Sequence, residues 1–430
     1  MSAAAGVVRG TAINLATRLL SVALVLAITA ITARLGTAQQ GAFALFTSIE
    51  GVLLALLSGF GVALARRVSH HGEQPRALLG ATVLACMGLG GLASLGLWAV
   101  SASGPPAYAA LWLLALAAPL LLLAPNVAGL WLGEGRMAPM AAVSLAPPLL
   151  TLLGLGAVLL LQTATLPSVQ PVLGAWVAAK VLVGVAVLLL VWRAGRLAAP
   201  DFRALRGELP FIATIGLTNL IGLLNYRVGL FVIERLLGLS ATGVYSIAVV
   251  VAELLWFVSG SLTQAVYGRI GTPDRARAAD TTVRVVHLSL VALLLVAPLL
   301  AAAAVLLIPP LLGEAYRDSL PLLAFLLPGA LVFGGASALS AYFTNHAGLP
   351  RVPAQVAALS LALNAGLALL LVPRLGMAGA ALAASLAYAA SVGVLAWRFA
   401  RHAGLPLGRV LLPGAQLGRD LLALRRGGRV

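Results

Sequence analysis

Long apolar stretches separated by short polar connections fill almost the whole of this 430-residue chain. Twelve of the stretches have roughly the 20 residues that a helix needs to cross a hydrocarbon core of about 30 Å. Helices satisfy their own backbone hydrogen bonds, so they can cross a medium that contains no water. The predicted spans are 11–33, 41–65, 77–101, 108–131, 138–161, 171–192, 210–233, 242–267, 285–312, 320–344, 354–372 and 377–397.

The composition supports the same interpretation. Hydrophobic residues make up 61% of the chain and charged residues only 9%, and the mean hydropathy is +1.05. Too few charges remain to cover a soluble core of this size, so we predict an all-α polytopic membrane protein. The first stretch is too long for a cleavable signal and is followed at once by another span, so it is read as the first helix. The single cysteine, Cys86, excludes an intrachain disulfide and a cysteine metal site.

The net charge of +16 follows the predicted topology. If the N-terminus is cytoplasmic, 21 of the 28 basic residues lie in cytoplasmic segments and four (Arg34, Arg235, Arg317, Arg374) lie on the opposite side. This asymmetry is the positive-inside pattern, which predicts a multi-pass protein of the bacterial inner membrane with both termini in the cytoplasm. Membrane lipids are therefore expected partners, and nucleic acid is not.

The sequence also predicts two halves of six spans each. Glu50 precedes Arg66 by 16 residues, and Glu253 precedes Arg269 by the same distance. Six is an even number, so the halves have the same orientation, as in transporters built from parallel repeats. The predicted division is an N-terminal six-helix lobe at 1–192, a cytoplasmic linker at 193–209, a C-terminal six-helix lobe at 210–397 and a basic cytoplasmic tail at 398–430.

Five charged residues fall inside the predicted spans, where a charge costs several kcal/mol. Glu50, Glu253 and Lys180 lie near mid-membrane, Arg18 lies nearer the inner end of its span and Arg227 nearer the outer end. They form structural ion pairs, with the two arginines able to snorkel to an interface, or they line a cavity. In the second case Arg18, Lys180 and Arg227 bind an anionic headgroup. Glu50 and Glu253 are then the candidates for H⁺ or Na⁺ coupling.

Three asparagines inside spans, Asn14, Asn225 and Asn364, are polar candidates for the same cavity, or else hydrogen-bond between helices. The chain has no phosphate-binding GxxxxGK[ST] loop, no nucleophile paired with a base and no cluster with metal-ligand spacing. We therefore expect no catalytic residue, no metal site, no cofactor and no enzymatic activity.

Three segments carry a family resemblance: ARLGTAQQGAFALF...SGFGVALARRVS (33–69), NYRVGLFVIERLLGLSATGVYSIAVVVAELLWFVSGSLTQAVYGRI (225–270) and LLPGALVFGGASALSAYFTNHAGLPR...ALNAGLALLLVPRLGMAGAALAASLAY (326–388). They resemble polysaccharide and oligosaccharide flippases of the multidrug/oligosaccharidyl-lipid/polysaccharide exporter superfamily. The resemblance implies two six-helix lobes in a MATE-like V and alternating access. It implies a lipid-linked glycan as cargo, carried from the cytoplasmic to the outer leaflet, and polysaccharide polymerase or assembly proteins as partners. The cargo's diphosphate would meet Arg18, Lys180 or Arg227.

The chain departs from this family at two places. Relatives often have an acidic residue just after the NYRV-like stretch, where this chain has Gly229. Lipid II flippases of the superfamily usually have two more C-terminal helices, whereas the tail after Arg398 is rich in arginine. The alternatives are a cation-coupled exporter of small drugs or metabolites, a lipid II flippase, and a non-transporting scaffold in a glycan-assembly complex. Three basic against two acidic residues inside the spans favour an anionic cargo.

Overall fold

The computed structural model describes residues 3–71, 75–161 and 168–412, and the side chains of 16–69, 75–157 and 168–412. Within these ranges the chain is helical and contains no strand. The helices are α1 Ala3–Arg34, α2 Thr37–Leu57, α3 Gly59–His71, α4 Arg76–Ser103, α5 Leu111–Leu121, α6 Leu123–Gly133, α7 Met137–Leu161, α8 Gln170–Arg193, α9 Phe202–Ala265, α10 Tyr267–Ile270, α11 Arg275–Leu312, α12 Ser319–Ala341, α13 Arg351–Leu375, α14 Met377–Ala403 and α15 Leu407–Leu411.

Each predicted span has a helical counterpart in the described residues. Eleven helical segments there are long and apolar enough to cross a membrane. One of them, α9, has 64 residues and is interrupted at Gly238, where φ is 83° and ψ is −179°. At 1.5 Å per residue an unbroken helix of that length would be about three hydrocarbon cores long, which is too long for one span. The interruption at Gly238 divides α9 into two spans. The predicted all-α polytopic fold is confirmed, and the chain is a multi-pass membrane protein.

Two spans that the sequence predicts as continuous are divided in the structure. The second span consists of α2 and α3, which meet at Ser58. The Ser58 hydroxyl donates to the carbonyl of Ala55 at 2.7 Å, and a serine followed by a glycine is a common place for a helix to kink. The fourth span consists of α5 and α6, which meet at Leu122. Pro125 has no N–H to donate to the preceding turn, which accounts for the interruption there.

Helix α9 begins at Phe202, within the predicted linker 193–209. The Asp201 carboxylate accepts hydrogen bonds from the backbone N–H groups of Arg203 and Ala204 at 2.9 and 3.0 Å. This is the N-cap arrangement that starts a helix by satisfying its first donors. The second half of the predicted linker is therefore a helical extension of the seventh span.

The chain divides into two compact units, Met1–Leu223 and Leu224–Val430, with the boundary inside α9. Each unit has its own apolar core. In the first unit α3 and α6 approach so closely that a Cβ at Gly129 would lie 2.0 Å from the carbonyl oxygen of Gly61. Small residues allow this kind of backbone contact between membrane helices, where packing replaces the hydrophobic effect.

Two glycines mark equivalent positions in the predicted halves. Gly36 joins α1 to α2 with φ 114° and ψ 162°, and Gly238 interrupts α9 with φ 83° and ψ −179°. Near the end of a span, Gly36 follows an arginine and one leucine, and Gly238 follows an arginine and two leucines. Residues with a side chain rarely adopt such angles, so the first turn of each half depends on a glycine at this point.

The close approach of α3 and α6 gives a test of the packing. We expect Gly129→Ala to lower the apparent melting temperature of the detergent-solubilised protein, because overpacking a helix contact typically costs about 1–3 kcal/mol. The matched control is Gly174→Ala, since nothing lies within 4 Å of a Cβ at Gly174. That change should leave stability unchanged or raise it, because alanine favours a helix over glycine. Equal melting temperatures for the two variants would contradict the packing described here.

Candidate functional site

In the first unit the acidic side chain inside the second span is paired with a lysine. Glu50 on α2 is almost completely buried, and its Oε1 forms an ion pair with Nζ of Lys180 on α8. The Lys180 side chain is 18% exposed, against 2% for Glu50. A buried carboxylate without a cation would be costly, so this pair accounts for both charges within one unit.

A tryptophan completes the pair. The indole Nε1 of Trp176 donates to Oε2 of Glu50 at 2.7 Å, and the ammonium of Lys180 lies 4.2 Å from the centroid of the indole ring. Trp176 and Lys180 are four residues apart on α8, so they lie on the same helix face. The edge of Phe43 meets the same indole ring at a centroid distance of 5.7 Å. The Glu50 carboxylate thus has two donors, and the Lys180 ammonium has both a carboxylate and a π face.

In the second unit Glu253 forms an ion pair with an arginine of the same helix, α9. Nη1 of Arg227 lies 3.1 Å from Oε1 of Glu253, and Nη2 donates to Oε2 at 3.2 Å. Arg227 precedes the interruption at Gly238 and Glu253 follows it, so the turn there allows the two parts of α9 to lie side by side. Both side chains keep a little over one fifth of their surface exposed. The turn at Gly238 therefore creates this ion pair.

Aromatic rings surround the Arg227–Glu253 pair. Tyr226 packs against Trp256 with ring centroids 4.7 Å apart, and Phe333 packs against Tyr388 at 4.8 Å. Trp256 contacts the rings of Phe333 and Tyr388 as well. The aromatic cluster, meaning Tyr226, Trp256, Phe333 and Tyr388, lines a cavity of about 250 Å³ through three of its members, Tyr226, Trp256 and Phe333.

A smaller cavity adjoins the carboxylate itself. Its volume is about 20 Å³, which is room for a single water molecule or a small ion. Its polar lining groups are Tyr226, Tyr245, Glu253, Trp256, Asn364 and Tyr388. The cavity thus joins a carboxylate, an amide and three phenol hydroxyls at one small site.

Two asparagines predicted from the sequence meet in this unit. Nδ2 of Asn364 donates to the backbone carbonyl of Asn225 at 2.9 Å, and the Tyr388 hydroxyl donates to the same carbonyl at 3.4 Å. Within the described residues the Oδ1 atoms of both asparagines are buried and accept no hydrogen bond. Buried acceptors without a donor are rare and costly, so these two oxygens are available to a bound cation or water.

The structure also shows what replaces a side chain at Gly229. A Cβ at this position would lie 2.8 Å from the hydroxyl of Tyr245. The Tyr245 side chain, which is buried, therefore fills the space that an acidic residue at position 229 would need. Glu253 and Tyr245 line the same small cavity.

The remaining predicted residues are not part of these contacts. Arg18 on α1 is exposed, and within the described residues it has no hydrogen-bond or ion-pair partner. The side chain of Asn14 lies outside the described part of the chain. The structure therefore joins Glu50 to Lys180, Glu253 to Arg227, and Asn225 to Asn364, and leaves Arg18 apart from them.

The sequence interpretation missed the aromatic residues of both sites. Trp176 lies four residues before Lys180, Tyr226 lies next to Arg227, and Trp256 lies three residues after Glu253. Aromatic residues at helical spacing from a charged residue inside a span are a signal that could have been used, since they lie on the same face. Phe333 and Tyr388 are distant in sequence and give no such signal.

Comparisons with known proteins identify the architecture. No protein-family profile matches the chain, and no curated protein sequence matches it. Several solved structures do match the chain. The inward-closed lipid II flippase MurJ aligns with a TM-score of 0.74 at 13% identity, over 98% of this chain and 93% of that one. An inward-facing multidrug resistance MATE family transporter of the MOP superfamily aligns with a TM-score of 0.71 at 16% identity, over 89% of this chain and 94% of that one. The fold is MATE-like.

A third structure with this MATE-like fold is a MOP superfamily transporter from Pyrococcus furiosus, with a TM-score of 0.62 at 15% identity over 93% of this chain and 95% of that one. Its binding pocket is described as reversed in polarity, which suggests a different function for that protein. Identities of 13–16% establish the shared fold. The fold predicted from the resemblance is thereby confirmed.

The Glu50–Lys180 pair yields a prediction about stability. We expect Glu50→Gln to destabilise the detergent-solubilised protein by about 3–5 kcal/mol, because it leaves a largely buried ammonium without its carboxylate. The double variant Glu50→Gln with Lys180→Met removes both charges and should recover much of the lost melting temperature. A double variant no more stable than Glu50→Gln alone would contradict a structural ion pair.

Proposed function

We propose that this protein is a flippase that moves an isoprenoid-(di)phosphate-linked oligosaccharide or polysaccharide repeat unit from the cytoplasmic to the outer leaflet by alternating access, coupled to an ion. The fold supports a transporter, because it is shared with MATE transporters and with MurJ, a lipid II flippase. The sequence resemblance to polysaccharide flippases supports the class of cargo.

The charge balance of the spans carries the proposal. Each carboxylate predicted inside a span is neutralised by one cation of its own unit. Arg18 is exposed and unpaired within the described residues. The five in-span charges therefore leave a positive excess, which suits a diphosphate and disfavours a cationic drug. The MATE-like fold also occurs with a binding pocket of reversed polarity, in the Pyrococcus furiosus transporter.

The ion pairs suggest how coupling works. Arg227 binds Glu253, so an anionic cargo competes with that carboxylate for the same guanidinium. A carboxylate displaced from its cation inside the membrane is costly, and a proton or Na⁺ removes that cost. Cargo binding and cation uptake by Glu253 therefore favour one another. Release of the ion would restore the pair and expel the cargo.

The small cavity in the second unit supports uptake of an ion there. Glu253 and Asn364 line this cavity together, and within the described residues Oδ1 of Asn364 is buried and accepts no hydrogen bond. Carboxylate and amide oxygens are the ligands that hard cations prefer, and a carboxylate also takes a proton. Glu253 is thus the stronger of the two coupling candidates, since it lines this cavity and its side chain is 21% exposed, whereas that of Glu50 is 2% exposed.

The first test is a combined assay of glycans in the host. Deleting the gene should cause lipid-linked glycan intermediates to accumulate on the cytoplasmic leaflet and surface polysaccharide to fall. The wild-type gene should restore both, and a gene with Lys180→Ala and Arg227→Ala should not. Arg193→Ala, at an exposed helix end, is the control. Unchanged glycans with altered tolerance to cationic compounds would favour the drug exporter, and accumulation of lipid II alone would favour the lipid II flippase.

The competition mechanism gives a second prediction. In proteoliposomes we expect Glu253→Gln to bind an isoprenoid diphosphate more tightly than the wild type, because Arg227 then has no competing carboxylate. We expect the wild type to bind more strongly at lower pH, and Glu253→Gln to lose this pH dependence and to stop transport. Glu50→Asp, which keeps a carboxylate beside Lys180, is the control for transport. Normal, pH-dependent transport by Glu253→Gln would show that Glu253 does not couple the cycle.

A further inference from the structure

A long groove lies on the second unit between the end of the eighth span and the beginning of the ninth. Its volume is about 670 Å³. One wall is formed by Leu262, Val266 and Arg269, where α9 gives way to α10. The other wall is a stripe along α11. The groove is separate from the Arg227–Glu253 site, with which it shares no lining residue.

The stripe on α11 changes from charged to apolar along its length. Arg277, Thr281 and Arg284 line the first part, and Leu288 and Leu295 line the second. These residues recur every three or four positions or at multiples of that spacing, so they lie on one helix face. From Val285 to Leu295, which both line the groove, the helix rises about 15 Å, and one leaflet of the hydrocarbon core is about 15 Å deep. The apolar part of the groove is therefore as deep as one leaflet.

The rim of the groove is positively charged. Asp280 forms ion pairs with Arg284, at 2.9 Å, and with Arg409, at 3.6 Å. Arg277 pairs with Asp274 at 3.1 Å and keeps 83% of its side chain exposed. Among the residues that line the groove, the three arginines Arg269, Arg277 and Arg284 outnumber the one aspartate, Asp280. An anion arriving at this rim meets a positive excess and exposed guanidinium groups able to bind a phosphate.

From these observations we infer that the groove binds an anionic phospholipid, with its headgroup phosphate at the arginine rim and an acyl chain along the apolar stripe. A free phosphate would use only the rim and would leave the apolar part without an occupant. A basic pocket between membrane helices at a cytoplasmic surface is a favourable place for such a headgroup. The predicted topology puts this rim on the cytoplasmic side.

The first unit contains a comparison site. A groove of about 610 Å³ is lined by Arg136, Arg196 and apolar residues of α7 and α8. Glu134 pairs with both arginines, at 3.5 and 2.5 Å, so the positive excess there is smaller. The groove of the second unit is the stronger anion site for this reason. A lipid bound in the groove of the second unit would also contact both α10 and α11 next to Val266, where α9 ends.

The test measures lipid binding by the purified, delipidated full-length protein, using native mass spectrometry and thermal melting in detergent. We expect phosphatidylglycerol to bind and to raise the melting temperature more than phosphatidylcholine does. Inorganic phosphate should reproduce neither effect. Because each basic residue near a surface contributes about 1 kcal/mol to attraction of anionic lipid, Arg269→Gln with Arg277→Gln should weaken phosphatidylglycerol binding at least tenfold. Arg351→Gln, an exposed arginine outside the groove, should not.

A second pair of variants tests the apolar part with the rim intact. Ala292 lines the groove, so Ala292→Trp should fill it and abolish the preference for phosphatidylglycerol. Leu294→Trp places the same side chain at an exposed position outside the groove and should have no effect. Equal binding of the two lipids, an equal shift with inorganic phosphate, or full binding by Ala292→Trp would each overturn the proposal. None of these readouts depends on transport, so their outcome is separate from that of the flippase proposal.

Discussion

The lack of water in the hydrocarbon core is the constraint on which the rest of this structure depends. Backbone polar groups must be satisfied inside the chain, and this produces helices throughout the described spans. The same constraint acts on the few charged side chains, because a carboxylate in this medium needs a cation. Glu50 takes Lys180 and Glu253 takes Arg227, each within its own unit. In the flippase that we propose, these pairs connect stability with function, since an anionic cargo that uses either cation must displace a carboxylate.

The surroundings of the two pairs suit them to different tasks. Both oxygens of Glu50 accept a hydrogen bond, and the side chain is almost fully buried. Both oxygens of Glu253 lie beside the Arg227 guanidinium, and this carboxylate lines a cavity large enough for one small ion. A carboxylate enclosed by an ammonium and an indole resists exchange, whereas one beside a cavity can gain a water molecule or a small ion as a further ligand. This difference favours a mainly structural role for Glu50 and a coupling role for Glu253.

The sequence predicted the spans and the costly residues well, because both follow from local composition. It did not predict which charges pair, since Glu50 and Lys180 are 130 residues apart and the residues left both the ion pair and the cavity open. The Arg227–Glu253 pair depends on the turn at Gly238, a backbone angle that the sequence alone does not specify. The aromatic cluster needs Phe333 and Tyr388 from distant helices. Helix breaks such as the one at Ser58 also arise from packing and local hydrogen bonds, so apolar length does not reveal them.

The predicted repeat adds a last step to this argument. Glu50 and Glu253 occupy matching positions 16 residues before an arginine, yet their cations come from positions that do not match. By the spacing from Gly174 and Gly379, the counterpart of Lys180 is Ser385, whose hydroxyl donates to the carbonyl of Phe325. Packing alone would permit an apolar residue at either glutamate position, and usually at less cost. Each half nevertheless has an acid at the matching position, and the two acids take their cations from different helices. In the cycle we propose, the two halves differ in how readily the negative charge is neutralised, and only the charge of Glu253 responds to an ion.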